Sequence, residues 1–196
     1  VAPRAGCCDV YVVVASGDGD GYSIGGNHFL HACRRNIDMT YVVMDNHIYG
    51  MTKGQPSPTT EPEFDTALAP GGTGVRPFHP LVVALASGAN FIARCFSGEP
   101  NETANVLVEA IKHPGFSFVE ILSPCVTFRP DERAWKDQVH PAPVAATNDA
   151  GKAARRLMTD DGFNLGILYR GNRAPFQASV MAKDVDLAEL EKDFEL

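Results

Sequence analysis

The alternation of apolar and polar positions along this chain predicts a regular succession of strands and helices. Short, nearly continuous apolar runs predict strands at residues 9–15, 41–45, 91–95, 116–122 and 165–170, the first of them buried. Amphipathic stretches between them predict helices at residues 24–36, 81–87, 102–113 and 148–159. This order indicates an α/β fold, in which a doubly wound and mainly parallel sheet carries helices on both faces. Such sheets bind their ligands at the carboxyl ends of the strands.

Residues 50–78 are rich in Gly, Pro, Thr and Ser and predict a long loop. Long loops in compact domains are usually either functional or disordered. Near the end of the chain, residues 184–194 predict a short acidic amphipathic tail.

Two polar motifs follow the first two predicted strands. Gly17-Asp18-Gly19 follows the first strand, Asp45-Asn46 follows the second, and residues 20–45 separate the first motif from Asn46. The helix between the two strands returns the chain, so both motifs are expected side by side at one edge of the sheet. A Gly-Asp-Gly motif followed by Asn at this spacing is typical of a thiamine diphosphate site.

The residue types in these motifs suit a diphosphate bound with Mg²⁺, which prefers oxygen ligands in octahedral geometry. Asp18 offers a carboxylate and Asn46 an amide oxygen, and Ile48 offers its backbone carbonyl because the chain there has left the strand. The glycines let backbone N–H groups approach the phosphates. The dinucleotide fingerprint is not met, because Ile24 stands where it requires glycine, and the chain has no P-loop motif.

Composition narrows the possible partners and the compartment. Hydrophobic residues make up 44% and charged residues 21%, and the net charge is −7, with no basic stripe. Nucleic acid is therefore not an expected partner. No apolar stretch approaches the roughly 18 residues of a membrane span, so no membrane partner is expected. The five cysteines form no CxxC pair, which favours a reducing, cytoplasmic location over a disulfide framework.

The run GDGDGYSIGGNHFLHACRRNIDMTYVVMDNHIYGMTKGQPSPTT at residues 17–60 resembles the β subunit of 2-oxoacid:ferredoxin oxidoreductases. The segments FIARCFSG, in part, and FSFVEILSPCVTF extend the resemblance over residues from about 10 to 130. These enzymes oxidatively decarboxylate a 2-oxoacid with coenzyme A and give an acyl-CoA, carbon dioxide and reduced ferredoxin. The resemblance implies a thiamine-diphosphate-binding core at residues 1–130. It also implies that residues 131–196 form an extension that completes the domain and contacts a partner subunit.

The resemblance assigns roles to particular residues. Mg²⁺ is expected on Asp18, Asn46 and the Ile48 carbonyl. Met51 and Lys53 fall where the family discriminates among 2-oxoacids, and the segment around them is closest to 2-oxoglutarate-type members. Lys53 suits a substrate carboxylate by charge, although a solvated loop lysine explains it almost as well. The resemblance also implies a set of residues that line the cofactor: Gly17, Asp18, Gly19, Asp20, Asn46, Ile48, Gly50, Met51 and Thr52.

Cys125 lies in a Ser-Pro-Cys segment that carries one ligand of a 4Fe–4S cluster in this family. A thiolate is the expected ligand of cluster iron, whereas a lone cysteine more commonly packs as a small hydrophobic residue. The family's other cluster cysteines, ahead of the first strand, are absent, and the adjacent Cys7 and Cys8 are poorly placed to replace them. The expectation is an N-terminally truncated chain whose cluster is complete only in the full-length protein.

No glutamate stands in a motif that would activate the cofactor, so the resemblance implies that an α subunit supplies it. The catalytic residue is therefore unknown, and the other expected partners are ferredoxin, coenzyme A and the 2-oxoacid. Two alternatives stay open, an inactive cofactor-binding fragment and a thiamine diphosphate decarboxylase that needs no iron. The Ser-Pro-Cys and Thr-Lys-Gly-Gln segments argue against the second.

Overall fold

The computed structural model describes residues 10–177, which form a six-stranded sheet in the order β1-β2-β6-β5-β8-β7, with a separate two-stranded hairpin, β3-β4. The strands are β1 (Val13–Gly17), β2 (Met39–Asp45), β3 (Ile48–Tyr49), β4 (Gln55–Pro56), β5 (Phe91–Phe96), β6 (Phe116–Leu122), β7 (His140–Pro141) and β8 (Asn164–Arg170). The helices are α1 (Asp18–Tyr22), α2 (Gly26–Arg35), α3 (Pro80–Ala86), α4 (Pro100–Lys112), a 3₁₀ helix (Pro130–Ala134), α5 (Trp135–Gln138) and α6 (Ala150–Met158).

The centre of the sheet is parallel, as predicted. β1 pairs with β2, β2 with β6 and β6 with β5, all in parallel register. β8 then runs antiparallel to β5, and β7 pairs with it in parallel. Because β1 and β2 are parallel neighbours, their carboxyl ends lie together at one edge of the sheet, with Gly17 opposite Met44.

Helices cover both faces of the sheet, which confirms the predicted layering. On β2, Tyr41 and Val43 pack into the core shared with α2, α3 and α6, while Val42 faces the second core, beneath α4. This alternation follows from the period of two along a strand. Phe116 and Phe118 on β6 have the same orientation as Tyr41 and are fully buried.

The prediction of a buried strand at residues 9–15 is wrong in the burial of the strand and in its limits. The strand spans Val13–Gly17, and Val13 and Val14 are 49% and 39% exposed. Within residues 10–177, β1 pairs only with β2 and lies at the sheet edge. An apolar run therefore indicated a strand correctly but did not show whether both of its faces are covered.

Other boundaries also differ from the predictions. The helix predicted from residue 24 begins at Gly26, and the Gly-rich turn before it folds into the short helix α1. The described part of residues 131–196 adds strands to the same sheet, which is where β8 joins β5. The predicted tail at 184–194 and the cysteines at 7 and 8 lie outside the described residues. No helix within residues 10–177 is long and apolar enough to cross a membrane.

Helix α1 is held against the hairpin by a close contact at Gly19. The Tyr49 hydroxyl donates a hydrogen bond to the Gly19 carbonyl over 3.0 Å. A Cβ atom at position 19 would lie only 2.2 Å from Cε1 of the Tyr49 ring. Glycine is therefore required so that α1 and β3 can approach each other.

We expect Gly19→Ala to lower the free energy of unfolding by about 1–3 kcal/mol, because the added methyl group displaces the Tyr49 ring. Chemical denaturation without cofactor measures this change. Gly26→Ala is the matched control, because Cβ at position 26 meets no atom within 4 Å. It should leave stability unchanged or raise it by up to about 1 kcal/mol. Equal stabilities for the two variants would contradict the packing described for Gly19.

Candidate cofactor site

Two buried aspartates meet where β1 and β2 end. Asp18 is the first residue of α1, immediately after β1, and Asp45 is the last residue of β2. Their residues are 2% and 1% exposed. Because carboxylates are strongly hydrated, two of them buried at one edge of a sheet require compensating partners.

Thr59, from the long loop, provides one shared partner. Its hydroxyl oxygen lies 3.1 Å from Oδ2 of Asp18 and 2.8 Å from Oδ1 of Asp45. A hydroxyl has one proton and can donate it to only one of the two carboxylates at a time. The Oδ2 atom of Asp45 is buried and has no hydrogen-bond partner. The pair is therefore incompletely satisfied.

The electrostatics of Asp45 reflect this shortage of partners. Burial is the main cause that raises the pKa of Asp45, to about 8, and the charges of Glu120 and Asp18 raise it further, against the opposing effect of His47. The neighbouring Glu120 is bound to Arg94, with 2.6 Å between Oε2 and Nε. A divalent cation beside Asp18 and Asp45 would offset the repulsion between them, and the oxygen donors here suit Mg²⁺.

The chain after β2 bends sharply through two side-chain turns. The His47 backbone N–H donates to Oδ1 of Asp45 over 3.1 Å, and the Ile48 N–H donates to the side-chain oxygen of Asn46 over 3.2 Å. His47 has a φ of 52°, in the left-handed region that costs a non-glycine residue about 1–2 kcal/mol. The Thr60 hydroxyl donates to the His47 carbonyl and stabilises this conformation. These hydrogen bonds fix the backbone from Asp45 to Ile48 immediately after the carboxyl end of β2.

The remaining residues of the predicted cofactor lining occupy both sides of this edge. Gly17 ends β1, and Asp20 is exposed on α1. On the hairpin side, Gly50 is half-buried, while Met51 and Thr52 are exposed. Thr52 donates a hydrogen bond to the Tyr49 carbonyl over 3.1 Å.

The predicted specificity residues lie at the surface of the same turn. Met51 is 99% exposed. Lys53 is exposed and adopts a φ of 68°. Both side chains can therefore meet a ligand or a partner subunit that approaches the turn.

A second layer of charge beneath the turn was not predicted from the sequence. Nδ1 of His47 is 3.0 Å from Oε1 of Glu61, and Oε2 of Glu61 is 2.9 Å from Nη1 of Arg129. Burial lowers the pKa of His47, but the hydrogen bond to Glu61 and the charge of Asp45 outweigh it and raise the pKa to about 9. Burial raises the pKa of Glu61, but its bonds to His47 and Arg129 prevail and lower the pKa to about 2. These contacts favour the charged forms of His47 and Glu61 beside the Arg129 guanidinium.

Cys125 lies next to the cofactor turn. Its sulfur is 3.7 Å from the position that a Cβ on Gly50 would occupy, and the residue is partly exposed. The other two cysteines of the described residues, Cys33 and Cys95, are buried, and burial raises the pKa of each thiol to about 12. Among the three, only Cys125 is partly exposed.

Over the described part of the chain, no group of three or more His, Cys, Asp and Glu side chains could hold a metal ion. This finding does not test the expected Mg²⁺ site, because the ligands of that site include an amide oxygen and a backbone carbonyl.

Comparison with known proteins shows that this region resembles a thiamine pyrophosphate binding domain. Residues 4–121 match the family model for the C-terminal TPP binding domain of thiamine pyrophosphate enzymes. The 2-oxoglutarate synthase subunit KorB of Archaeoglobus fulgidus is 48% identical over 119 residues, which cover 61% of this chain and 45% of that protein. The 2-oxoacid:ferredoxin oxidoreductase β subunit of Saccharolobus solfataricus is 33% identical over 174 residues, which cover 81% of this chain and 57% of that protein.

A solved structure shares the whole architecture. The 2-oxoglutarate:ferredoxin oxidoreductase of Magnetococcus marinus, with 2-oxoglutarate, coenzyme A and succinyl-CoA bound, superposes with a TM-score of 0.80 at 39% identity. The similarity covers 94% of this chain and 62% of that one. The chain spans 45% to 57% of the length of the two sequence relatives described above. By its matching domain and these relatives, the chain belongs to the thiamine pyrophosphate enzymes, in the branch that contains the β subunits of 2-oxoacid:ferredoxin oxidoreductases.

Proposed function

We propose that this chain binds thiamine diphosphate and Mg²⁺ as part of the β subunit of a 2-oxoacid:ferredoxin oxidoreductase. The observation that carries the proposal is the pair of buried carboxylates, Asp18 and Asp45, which meet at the carboxyl edge of two parallel strands. One carboxylate oxygen there has no hydrogen-bond partner among residues 10–177. This arrangement fits a site that is completed by a cation.

In the proposed site, Mg²⁺ is held by the Asp18 carboxylate, the Asn46 amide oxygen and the Ile48 carbonyl. Asp45 does not need to bind the metal directly, because its charge and its contact with Thr59 help to orient Asp18. The backbone around Gly17, Gly19 and Asp20 faces the diphosphate, and Gly50, Met51 and Thr52 border the rest of the cofactor. When bound, thiamine diphosphate supplies the carbon nucleophile and the electron sink for decarboxylation of a 2-oxoacid.

The proposed substrate is 2-oxoglutarate. Several sequence relatives are named as 2-oxoglutarate enzymes, and the solved relative contains that acid. Lys53 is a cation on the exposed side of the cofactor turn and suits the distal carboxylate of a dicarboxylic substrate. The proposed products are carbon dioxide and succinyl-CoA, with electrons passed to ferredoxin in the cytoplasm.

An α subunit is proposed to cover the site and to supply the activating glutamate. Within residues 10–177, the glutamates nearest the site already have partners, because Glu61 binds His47, Glu120 binds Arg94, and Glu132 accepts a hydrogen bond from the Cys125 N–H. The proposal is also supported by exposed apolar side chains on the surface around the site, namely Met51, Val126 and Phe128. Cys125 is proposed as one ligand of a 4Fe–4S cluster whose other ligands lie outside the described residues.

We expect thiamine diphosphate with Mg²⁺ to stabilise the chain and Asp18→Asn to abolish the effect. A ligand at 100 times its Kd that binds only the folded state adds about 2.7 kcal/mol to the free energy of unfolding. The substitution keeps the volume of Asp18 but removes its charge, so the cation loses the one anionic ligand that the proposed set contains. Thermal unfolding with the cofactor, with and without Mg²⁺, measures both results.

Glu109→Gln is the control, because it removes a carboxylate on the exposed surface of α4, where Glu109 pairs with Arg170. Its stabilisation by the cofactor should match that of the parent. An equal Mg²⁺-dependent stabilisation of the Asp18→Asn variant would show that the negative charge of Asp18 does not contribute to cation binding. The absence of stabilisation in the parent, both alone and in complex with its α subunit, would overturn the cofactor assignment.

We expect Lys53→Met to raise the KM of the assembled enzyme for 2-oxoglutarate by about tenfold or more, because a charged hydrogen bond contributes about 1.5–3 kcal/mol. Activity toward pyruvate, which lacks the second carboxylate, should change little. Steady-state kinetics with 2-oxoglutarate and with pyruvate measure both effects. Lys112→Met, on the exposed end of α4, serves as the control. Equal losses with both acids would show that Lys53 does not recognise the distal carboxylate.

A further inference from the structure

The peptide groups around Cys125 are fixed by two residues that follow in the chain. The Cys125 N–H donates to Oε2 of Glu132 over 2.9 Å, and the Cys125 carbonyl accepts a hydrogen bond from the Arg129 N–H over 2.7 Å. Glu132 is completely buried. The backbone that carries the sulfur is therefore held at both its donor and its acceptor.

The Arg129 side chain extends from this segment to the cofactor turn. Its Nη1 atom is 3.4 Å from Oε1 of Glu132 and 2.9 Å from Oε2 of Glu61. The same atom is 3.5 Å from the His47 carbonyl. Glu61 in turn holds the His47 ring. One guanidinium thus contacts both the residue that fixes Cys125 and the left-handed turn that presents Asn46 and Ile48.

The surroundings of Arg129 restrict its movement. Its side chain is 4% exposed, and its guanidinium carbon lies 3.9 Å from the centre of the Phe64 ring. Asp131 occupies its other edge, 2.9 Å from Nη2. Of the three carboxylate partners only Glu132 is fully buried, so loss of Arg129 would leave that carboxyl group buried without a counter-charge. A continuous series of contacts therefore links the His47 turn to Glu132 and Cys125.

We propose that Arg129 is a positioning residue that couples occupancy of the cofactor site to the conformation of the Cys125 segment. The proposal rests on the proposed function, because it takes thiamine diphosphate and Mg²⁺ as the ligand of the turn at 45–50. Binding at Asp18, Asn46 and Ile48 orders the turn, and Arg129 with Glu61 and Glu132 transfers this order to Cys125. The sulfur is thereby held in one place relative to the cofactor.

The test uses protein without an iron–sulfur cluster, in which the Cys125 thiol is free to react. It measures the alkylation rate of Cys125 by peptide mapping after iodoacetamide treatment, with and without saturating thiamine diphosphate and Mg²⁺. Coupling between sites is typically about 5–150-fold, and we expect at least about 5-fold slower alkylation with cofactor in the parent. In Arg129→Lys the charge remains, but the ammonium nitrogen lies one bond short of the Nη1 position, and no second nitrogen is left to bind Asp131. In this variant, the protection of Cys125 from alkylation by saturating cofactor should fall below about 2-fold.

Two further variants distinguish a loss of coupling between the cofactor site and Cys125 from a loss of stability. Glu61→Gln interrupts the same connection at a side chain that is 45% exposed, so the fold should tolerate it, and protection should again be lost. Arg170→Lys is the matched control, since Arg170 also pairs with a glutamate and lies over an aromatic ring, but on the far side of the molecule. It should retain full protection. Thermal unfolding of each variant checks its stability, and a purely structural role would lower the melting temperature without changing the protection ratio.

The outcomes distinguish this proposal from the one on which it rests. If the parent binds thiamine diphosphate but Arg129→Lys and Glu61→Gln keep full protection of Cys125, the cofactor shields the sulfur directly and the coupling role is wrong. Unchanged alkylation in a parent that binds the cofactor would also overturn the coupling. If neither the parent nor its complex with the α subunit binds the cofactor, the proposed function itself fails.

Discussion

The structure depends most on the contact between two buried carboxylates and one hydroxyl, Asp18, Asp45 and Thr59. Parallel pairing of β1 and β2 brings Asp18 and Asp45 together, because the carboxyl ends of neighbouring parallel strands lie at the same edge of the sheet. Burial disfavours the ionised form of Asp45, and a single hydroxyl cannot satisfy both carboxyl groups. A divalent cation at this edge would favour the ionised form, which fits the proposed site for a magnesium diphosphate.

The long loop supplies much of what surrounds this contact. Thr59, Thr60 and Glu61 are consecutive, and they bind the aspartates, the His47 carbonyl and the His47 ring, respectively. Polar contacts of these three residues thus fix the loop against the ends of the strands. The segment from Cys125 to Glu132 approaches from the other side and meets it at Arg129. Thiamine chemistry and electron transfer would then be adjoining parts of one polar network.

The sequence predicts the central strands and the cofactor motif because both are local. β6 was predicted with its observed limits, since a run that is buried on both faces is apolar throughout. The spacing of Gly17-Asp18-Gly19 from Asn46 was sufficient to indicate that both strand ends meet. By contrast, the contact of Thr59 with Asp18 spans 41 positions and that of Arg129 with His47 spans 82, and no local pattern encodes either. The exposure of β1 and the reversed direction of β8 depend on sheet order, which an apolar run does not specify.

The central claim is that Asp18 and the cofactor diphosphate bind the same cation. Pulsed electron paramagnetic resonance of Mn²⁺, used in place of Mg²⁺ and bound to this chain with thiamine diphosphate, tests it most directly. We expect a phosphorus hyperfine coupling to the bound Mn²⁺ in the parent, and its loss in the Asp18→Asn variant at the same metal and cofactor concentrations. A parent that binds both ligands without phosphorus coupling, or a variant with unchanged coupling, would contradict it.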